Sequence, residues 1–189
     1  AVARALAGAP SVGTVVLVAR WAYYAEGAGT GADAGNRIAL APLAGSGLPE
    51  RGGQGELLAA AMEATVARLR GLGAEVAVLR QVPEVPDYDS RRVARALAHG
   101  RLSPEAAAPL LSVARGPLTV RQAQAEAALA RAARAGAALL DPWPLLCGAE
   151  GCGVMREGVV LWFDNNHLTN AGARVLAPLF ADLLRGAAP

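Results

Sequence analysis

The sequence predicts an α/β domain built on a parallel sheet. Two observations carry this. Short apolar runs such as "TVVLVA" and "AEVAVLRQVP" have the look of strands buried on both faces. Between them lie longer segments whose apolar residues recur at helical spacing, and strand–helix alternation implies βαβ units with helices packed on the sheet. A chain of 189 residues is long enough for one such domain with its own core.

Taken in order, Val15 to Ala19 reads as the first strand. "RWAYYAEGAGTGADAGN" then dissolves into a Gly-rich loop, and Gly27 to Gly55 holds no regular structure beyond a brief strand near Ile38 to Leu40. Glu56 to Gly71 is a helix, with Leu58, Met62, Thr65, Val66 and Leu69 on one stripe. Ala74 to Pro83 is the next strand, followed by the proline-stiffened "PEVPDY". Ser90 caps a helix from Arg91 to Ala98. Ser103 with Pro104 opens another to about Val113, and Thr119 caps a longer one from Val120 to Ala135. "AALLDP" is a third strand. "VMREGVVLWF" is a hairpin or a turn into a fourth strand, bent at Glu157-Gly158. The last helix runs from Leu168 to Leu184, with Pro178 inside it to bend it.

Composition excludes some partners. Hydrophobic residues make up 53 % and mean hydropathy is +0.30, but much of this is alanine. All eighteen basic residues are arginine, the formal net charge is only +2, and no basic run tracks a phosphate backbone. Nucleic acid is therefore not an expected partner. No apolar run reaches the ~18 residues that would span a bilayer. Pro10, Ser11 and Gly13 interrupt the N-terminal apolar stretch, so it reads as loop and strand rather than as a secretion signal. The chain lacks an initiator Met and is expected to be a fragment or a processed product.

Two cysteines, Cys147 and Cys152, sit in "LLCGAEGCG". A disulfide, free thiols and a metal site are all compatible with that spacing. A lone close pair in a loop suits a disulfide and an oxidising compartment best.

The segment "LWFDNNHLTNAG" carries the chemistry. Asp164 and His167 stand three residues apart, between an apolar run and a helix start. One short loop thus supplies a base and the acid that fixes its tautomer, two parts of a hydrolytic or acyl-transfer triad. Histidine suits the role because its pKa lies near working pH. In parallel α/β folds, such groups belong at the carboxyl ends of strands. The competing reading is a capped, solvated turn, because Asp, Asn and Thr before a helix are ordinary capping residues.

Three stretches make the chain resemble the SGNH-hydrolase superfamily, and specifically the extracytoplasmic SGNH domain fused to acyltransferase-3 proteins. They are "TVVLVARWAYYAEG", "VAVLRQVPEVP" and "LLCGAEGCGVMREGVVLWFDNNHLTNAGA". The last, with its cysteine pair, glycine turn and D-x-x-H-L-[ST]-x-x-G-A, is the most specific. The resemblance implies a three-layer α/β/α, flavodoxin-like fold, Asp164 and His167 as triad members, and a Cys147–Cys152 bridge. It also implies O-acylation of a cell-surface polysaccharide, without metal or cofactor, by transfer from an acyl donor to a glycan acceptor. Ester hydrolysis and non-catalytic glycan binding are the alternatives. The expected setting is extracytoplasmic, tethered to a membrane-embedded acyltransferase domain.

The departure from that family is the nucleophile. Its G-D-S serine precedes the Ala-Arg-Trp strand, and this sequence contains no G-D-S. The chain is thus expected to be N-terminally incomplete and inactive by itself. Of the serines present, Ser90 follows a strand and starts a helix, but it reads as a cap rather than as a nucleophile. "ARWAYY" stands where other members place an oxyanion asparagine. Arg20 is therefore a candidate donor to an oxyanion or a glycan hydroxyl, or else the partner of a carboxylate such as Glu26 or Asp164. Trp21 is a candidate for stacking on a sugar ring, with core packing as the competing role.

Overall fold

The computed structural model describes residues 13–42, 45, 47–48 and 52–185. Three strands form the parallel sheet: β1 (Thr14–Leu17), β2 (Glu75–Leu79) and β4 (Ala138–Leu140), in the order β1-β2-β4. Leu17 registers with Val78, and Val78 with Leu139. The α/β class and the parallel sheet thus stand as the sequence predicts.

One layer of helices covers one face of the sheet. Helix α1 (Trp21–Glu26) follows β1, α2 (Gln54–Gly71) leads into β2, and α5 (Arg115–Arg134) leads into β4. Ala22, Ala25, Leu58, Met62, Val66, Leu69, Ala125, Ala128, Leu129 and Ala132 bury against Val76 and Val78. Alanine recurs on α5 because two helices and a sheet meet there at close range. By the two-residue alternation of a strand, Ala77 and Leu79 look to the opposite face. Both are buried, whereas Val16 is 36 % exposed.

A second core is gathered by the remaining elements. It joins Val85, Tyr88, Leu118, Trp143, Leu146, Val154, Leu161, Trp162 and Leu176. Its frame is α3 (Ser90–Ala98), the short α4 (Pro104–Ala107), α6 (Trp143–Leu146), α7 (Asn170–Val175) and α8 (Ala177–Arg185). The strand β3 (Ser112–Ala114) pairs antiparallel with β5 (Gly151–Gly153). Cys147 and Cys152 form a disulfide across the loop before and into β5. A tight hairpin joins β6 (Met155–Arg156) to β7 (Val159–Val160). Its bend is Glu157-Gly158, with φ of 50° and 79°, the left-handed pair a primed hairpin turn requires.

Several elements differ from expectation. "WAYYAE" is a helix, closed by Gly27 at φ 71°; six residues are too few to show a periodic stripe. Ile38 to Leu40 makes no strand, and the Leu40 N–H donates to the Gln54 side chain instead. Asp89, not Ser90, caps α3, accepting from the Arg92 N–H at 2.7 Å. The helix opened by Ser103 and Pro104 ends at Ala107, because a 3-10 turn containing Pro109 and then β3 take over. The long helix starts at Arg115 rather than after Thr119, whose hydroxyl donates back to the Arg115 carbonyl. The last helix is two helices, divided at Leu176 just before Pro178. Leu161 to Phe163 does not join the parallel sheet; it is held by bridges Trp162↔Leu168 and Asp89↔Asp164. Among the described residues, no helix is long and apolar enough to cross a membrane.

Candidate active site

The Asp164–His167 turn is built by its own backbone. The Phe163 N–H donates to the His167 carbonyl at 2.8 Å, closing the loop. Asp164 Oδ1 accepts from the N–H of Asn166 at 2.9 Å and of His167 at 2.8 Å. Thr169 then caps α7, accepting from the Gly172 N–H and donating its own hydroxyl to the Val160 carbonyl. Gly172 is required there: a Cβ would lie 2.1 Å from the Leu161 carbonyl oxygen. The helix start is thereby fixed to the segment that delivers Asp164.

His167 Nδ1 lies 2.8 Å from Asp164 Oδ2 and 3.0 Å from Oδ1. A neutral ring in this geometry carries its proton on Nδ1 and leaves Nε2 as the basic nitrogen. The imidazole is 70 % exposed and Asp164 25 %. Burial pushes the Asp164 carboxyl upward, but the N–H groups of Asn166 and His167 and the His167 ring outweigh it and hold its pKa below the usual value. Asp164 is therefore ionised at neutral pH, as an orienting acid must be. An ion pair this exposed adds at most ~1 kcal/mol to stability, so what it fixes is orientation.

A cleft of about 200 Å³ opens beside the ring, lined by Val18, Ala19, Arg20, Leu79, Asn166 and His167. Val18 and Ala19 follow β1, and Leu79 ends β2. The dyad therefore stands at the carboxyl edge of the sheet, although its own segment is not a strand of it.

Arg20 borders this cleft but is not free. It pairs with Asp33 and with Glu84, rather than with Glu26 or Asp164. Glu84 is 1 % exposed and also accepts from Arg121 at 2.8 Å. Asn165 ties the Asp164–His167 turn to this network, donating to Asp33 Oδ1 at 2.8 Å and to the Thr30 carbonyl at 3.2 Å. The Val85 N–H, next to Glu84, donates to the Asn165 carbonyl at 2.8 Å. Asn166 completes the chain by donating to Asn165 Oδ1. Burial opposes ionisation of Asp33, yet Arg20, the Thr30 N–H and Asn165 lower its pKa.

Trp21 takes the core-packing role of the two the sequence allowed, and the stacking role does not hold. It is buried at 8 % exposure, and its Nε1 donates to the Leu79 carbonyl at 2.8 Å, so its ring packs in the core and offers no face to a sugar. Ser90 is N1 of α3, with its N–H on the Phe163 carbonyl; Ser103 caps α4, and Ser112 lies in β3. Ser11 and Ser46 lie outside the described residues. Among the described residues, the only hydrogen-bond partner of the His167 ring is Asp164. Asp33, Glu84, Asn165 and Arg121 were not singled out by sequence. A glutamate flanked by apolar residues and prolines in "VPEVP" is the one signal that could have flagged Glu84.

Comparison with known proteins identifies the family. The family model described as "SGNH domain (fused to AT3 domains)" matches residues 1–182. No curated protein and no solved structure matches the chain. With nearly the whole length covered and the D-x-x-H dyad set at the sheet edge, the chain belongs to the family of SGNH domains fused to AT3 domains.

Proposed function

We propose that this domain transfers an acyl group to a hydroxyl of a cell-surface polysaccharide, on the extracytoplasmic side of a membrane acyltransferase domain. His167 is the general base and then the general acid. Asp164 holds its tautomer. The nucleophile is a serine that this sequence, without a G-D-S, does not supply. In the first half-reaction the serine oxygen attacks the acyl carbonyl, its proton passes to His167 Nε2, and the donor's leaving group departs with that proton. In the second, the glycan hydroxyl attacks the acyl-serine, gives its proton to Nε2, and the serine recovers one. The observation that carries this is the two-oxygen contact of Asp164 with Nδ1 beside a cleft at the sheet edge. Arg20, at that cleft and always charged, offers donor capacity to the oxyanion or to an acceptor hydroxyl while Glu84 and Asp33 fix its position. Metal and cofactor have no part in the scheme.

Hydrolysis to water uses the same groups, and the balance depends on how well the closed site excludes water. p-Nitrophenyl acetate, whose nitrophenolate is released in the half-reaction common to both, tests the catalytic reading. The 189-residue chain is expected to release nitrophenolate no faster than its own His167→Ala variant. The full-length protein is expected to turn the ester over in a His167-dependent manner. His167-dependent turnover by the 189-residue chain would place the nucleophile within it, and a full-length protein indifferent to His167 would reject the catalytic reading.

A further inference from the structure

Helix α3 carries a charge arrangement that works against its own stability. Arg91, Arg92, Arg95 and Arg101 all face one open groove of about 510 Å³, with Asp89 as the sole acidic residue lining it. The first turn of the helix holds two of these arginines and no acidic residue. Positive charge there opposes the helix dipole, and Arg91 and Arg95 are like charges four residues apart.

Seven arginines elsewhere are engaged, whereas Arg37, Arg68, Arg134 and Arg174 stand apart from one another along the chain without this clustering. Arg20, Arg80, Arg121 and Arg131 meet carboxylates, and Arg70, Arg115 and Arg156 donate to backbone carbonyls. Among the described residues, the side chains of Arg92, Arg95 and Arg101 meet neither, and Arg91 lies over the Phe163 ring at 5.0 Å. All four are exposed. The groove also adjoins the catalytic turn. Asp89 bridges to Asp164, and the Ser90 N–H donates to the Phe163 carbonyl at 3.0 Å.

On the reading that this domain acylates a glycan, we infer that the α3 groove binds an anionic stretch of the acceptor polymer, through its carboxylate or phosphate groups. Guanidinium forks match both groups in two-point geometry. A concave wall of unpaired arginines beside the dyad suits a chain laid along the site. A flat sheet of lipid headgroups fits a hollow poorly.

The test is direct binding by the 189-residue chain. Its probes are a short oligogalacturonate, a neutral dextran oligomer of equal length, and phosphatidylcholine vesicles containing phosphatidylglycerol. Oligogalacturonate is expected to bind at least about tenfold tighter than dextran, with affinity falling as salt rises, and vesicles are expected not to pull the protein down. The double variant Arg92→Gln, Arg95→Gln is expected to weaken oligogalacturonate binding at least about tenfold. The control pair Arg37→Gln, Arg68→Gln keeps wild-type affinity. Circular dichroism verifies that the variants fold, and removing like charges from α3 does not destabilise it. Equal binding of dextran, an undisturbed affinity in the α3 variant, an equal loss in the control pair, or capture by vesicles in place of the glycan would each overturn the inference. Because the readout is binding without turnover, the two failures are told apart: if acyl transfer fails, anion binding by the groove still stands but its ligand is no longer an acceptor, and if binding fails, the acyl-transfer reading is untouched.

Discussion

His167→Ala in the full-length protein is expected to lower acyl transfer by at least about 10³-fold, because it removes the proton acceptor of both half-reactions. The same substitution is expected to shift stability by no more than ~0.5 kcal/mol, since the ring is 70 % exposed and its pairing with Asp164 is solvated. The contrast between these effects is diagnostic. A capping or packing histidine would show the reverse pattern, a stability loss with activity retained in the folded fraction. Parallel measurement of kcat for ester transfer and of the urea midpoint separates the two.

Glu84→Gln is expected to be the most damaging single change outside the dyad. Glu84 is 1 % exposed and receives two guanidinium groups, Arg20 and Arg121. Neutralising it leaves Arg20 with Asp33 as its one carboxylate and Arg121 with none, only the Ala28 carbonyl. Breaking a buried ion cluster by removing one partner costs about 3–5 kcal/mol. The loss reaches the site, because Val85, the next residue, holds the Asn165 carbonyl, and Arg20 borders the cleft. Urea denaturation should show the drop, with kcat falling in the fraction that remains folded. A loss below ~1 kcal/mol would mean that the network is loosely held and solvated.

The parts of this site legible in sequence are those fixed by local chemistry. Asp164 and His167 are three residues apart, so one turn suffices to join them, and the capping grammar of "DNNHLTNAG" already implies that turn. The buried strands are equally local: "VAVL" fills both faces of the sheet. The network behind the dyad was not legible because its members are far apart in sequence. Asp33 comes from a Gly-rich loop, Glu84 from a proline-flanked one, Arg121 from a helix and Asn165 from the turn, and only the tertiary fold brings them together. Trp21 and Ser90 failed for a related reason. An aromatic after a strand, or a serine before a helix, suits several roles, and burial and hydrogen bonding decide among them. Helix lengths were misjudged where proline acts: Pro109 cuts one helix short and Pro178 starts another.

The claim on which the mechanism turns is that Asp164 holds His167 with its proton on Nδ1 and the basic lone pair on Nε2. Two-dimensional ¹⁵N–¹H correlation of the imidazole, recorded on the 189-residue chain at a pH where the ring is neutral, reads the tautomer directly. The predicted result is an Nδ1–H ring in the wild type and a shift toward the Nε2–H form in Asp164→Asn. A wild-type ring protonated on Nε2, or a tautomer indifferent to Asp164→Asn, would contradict the account.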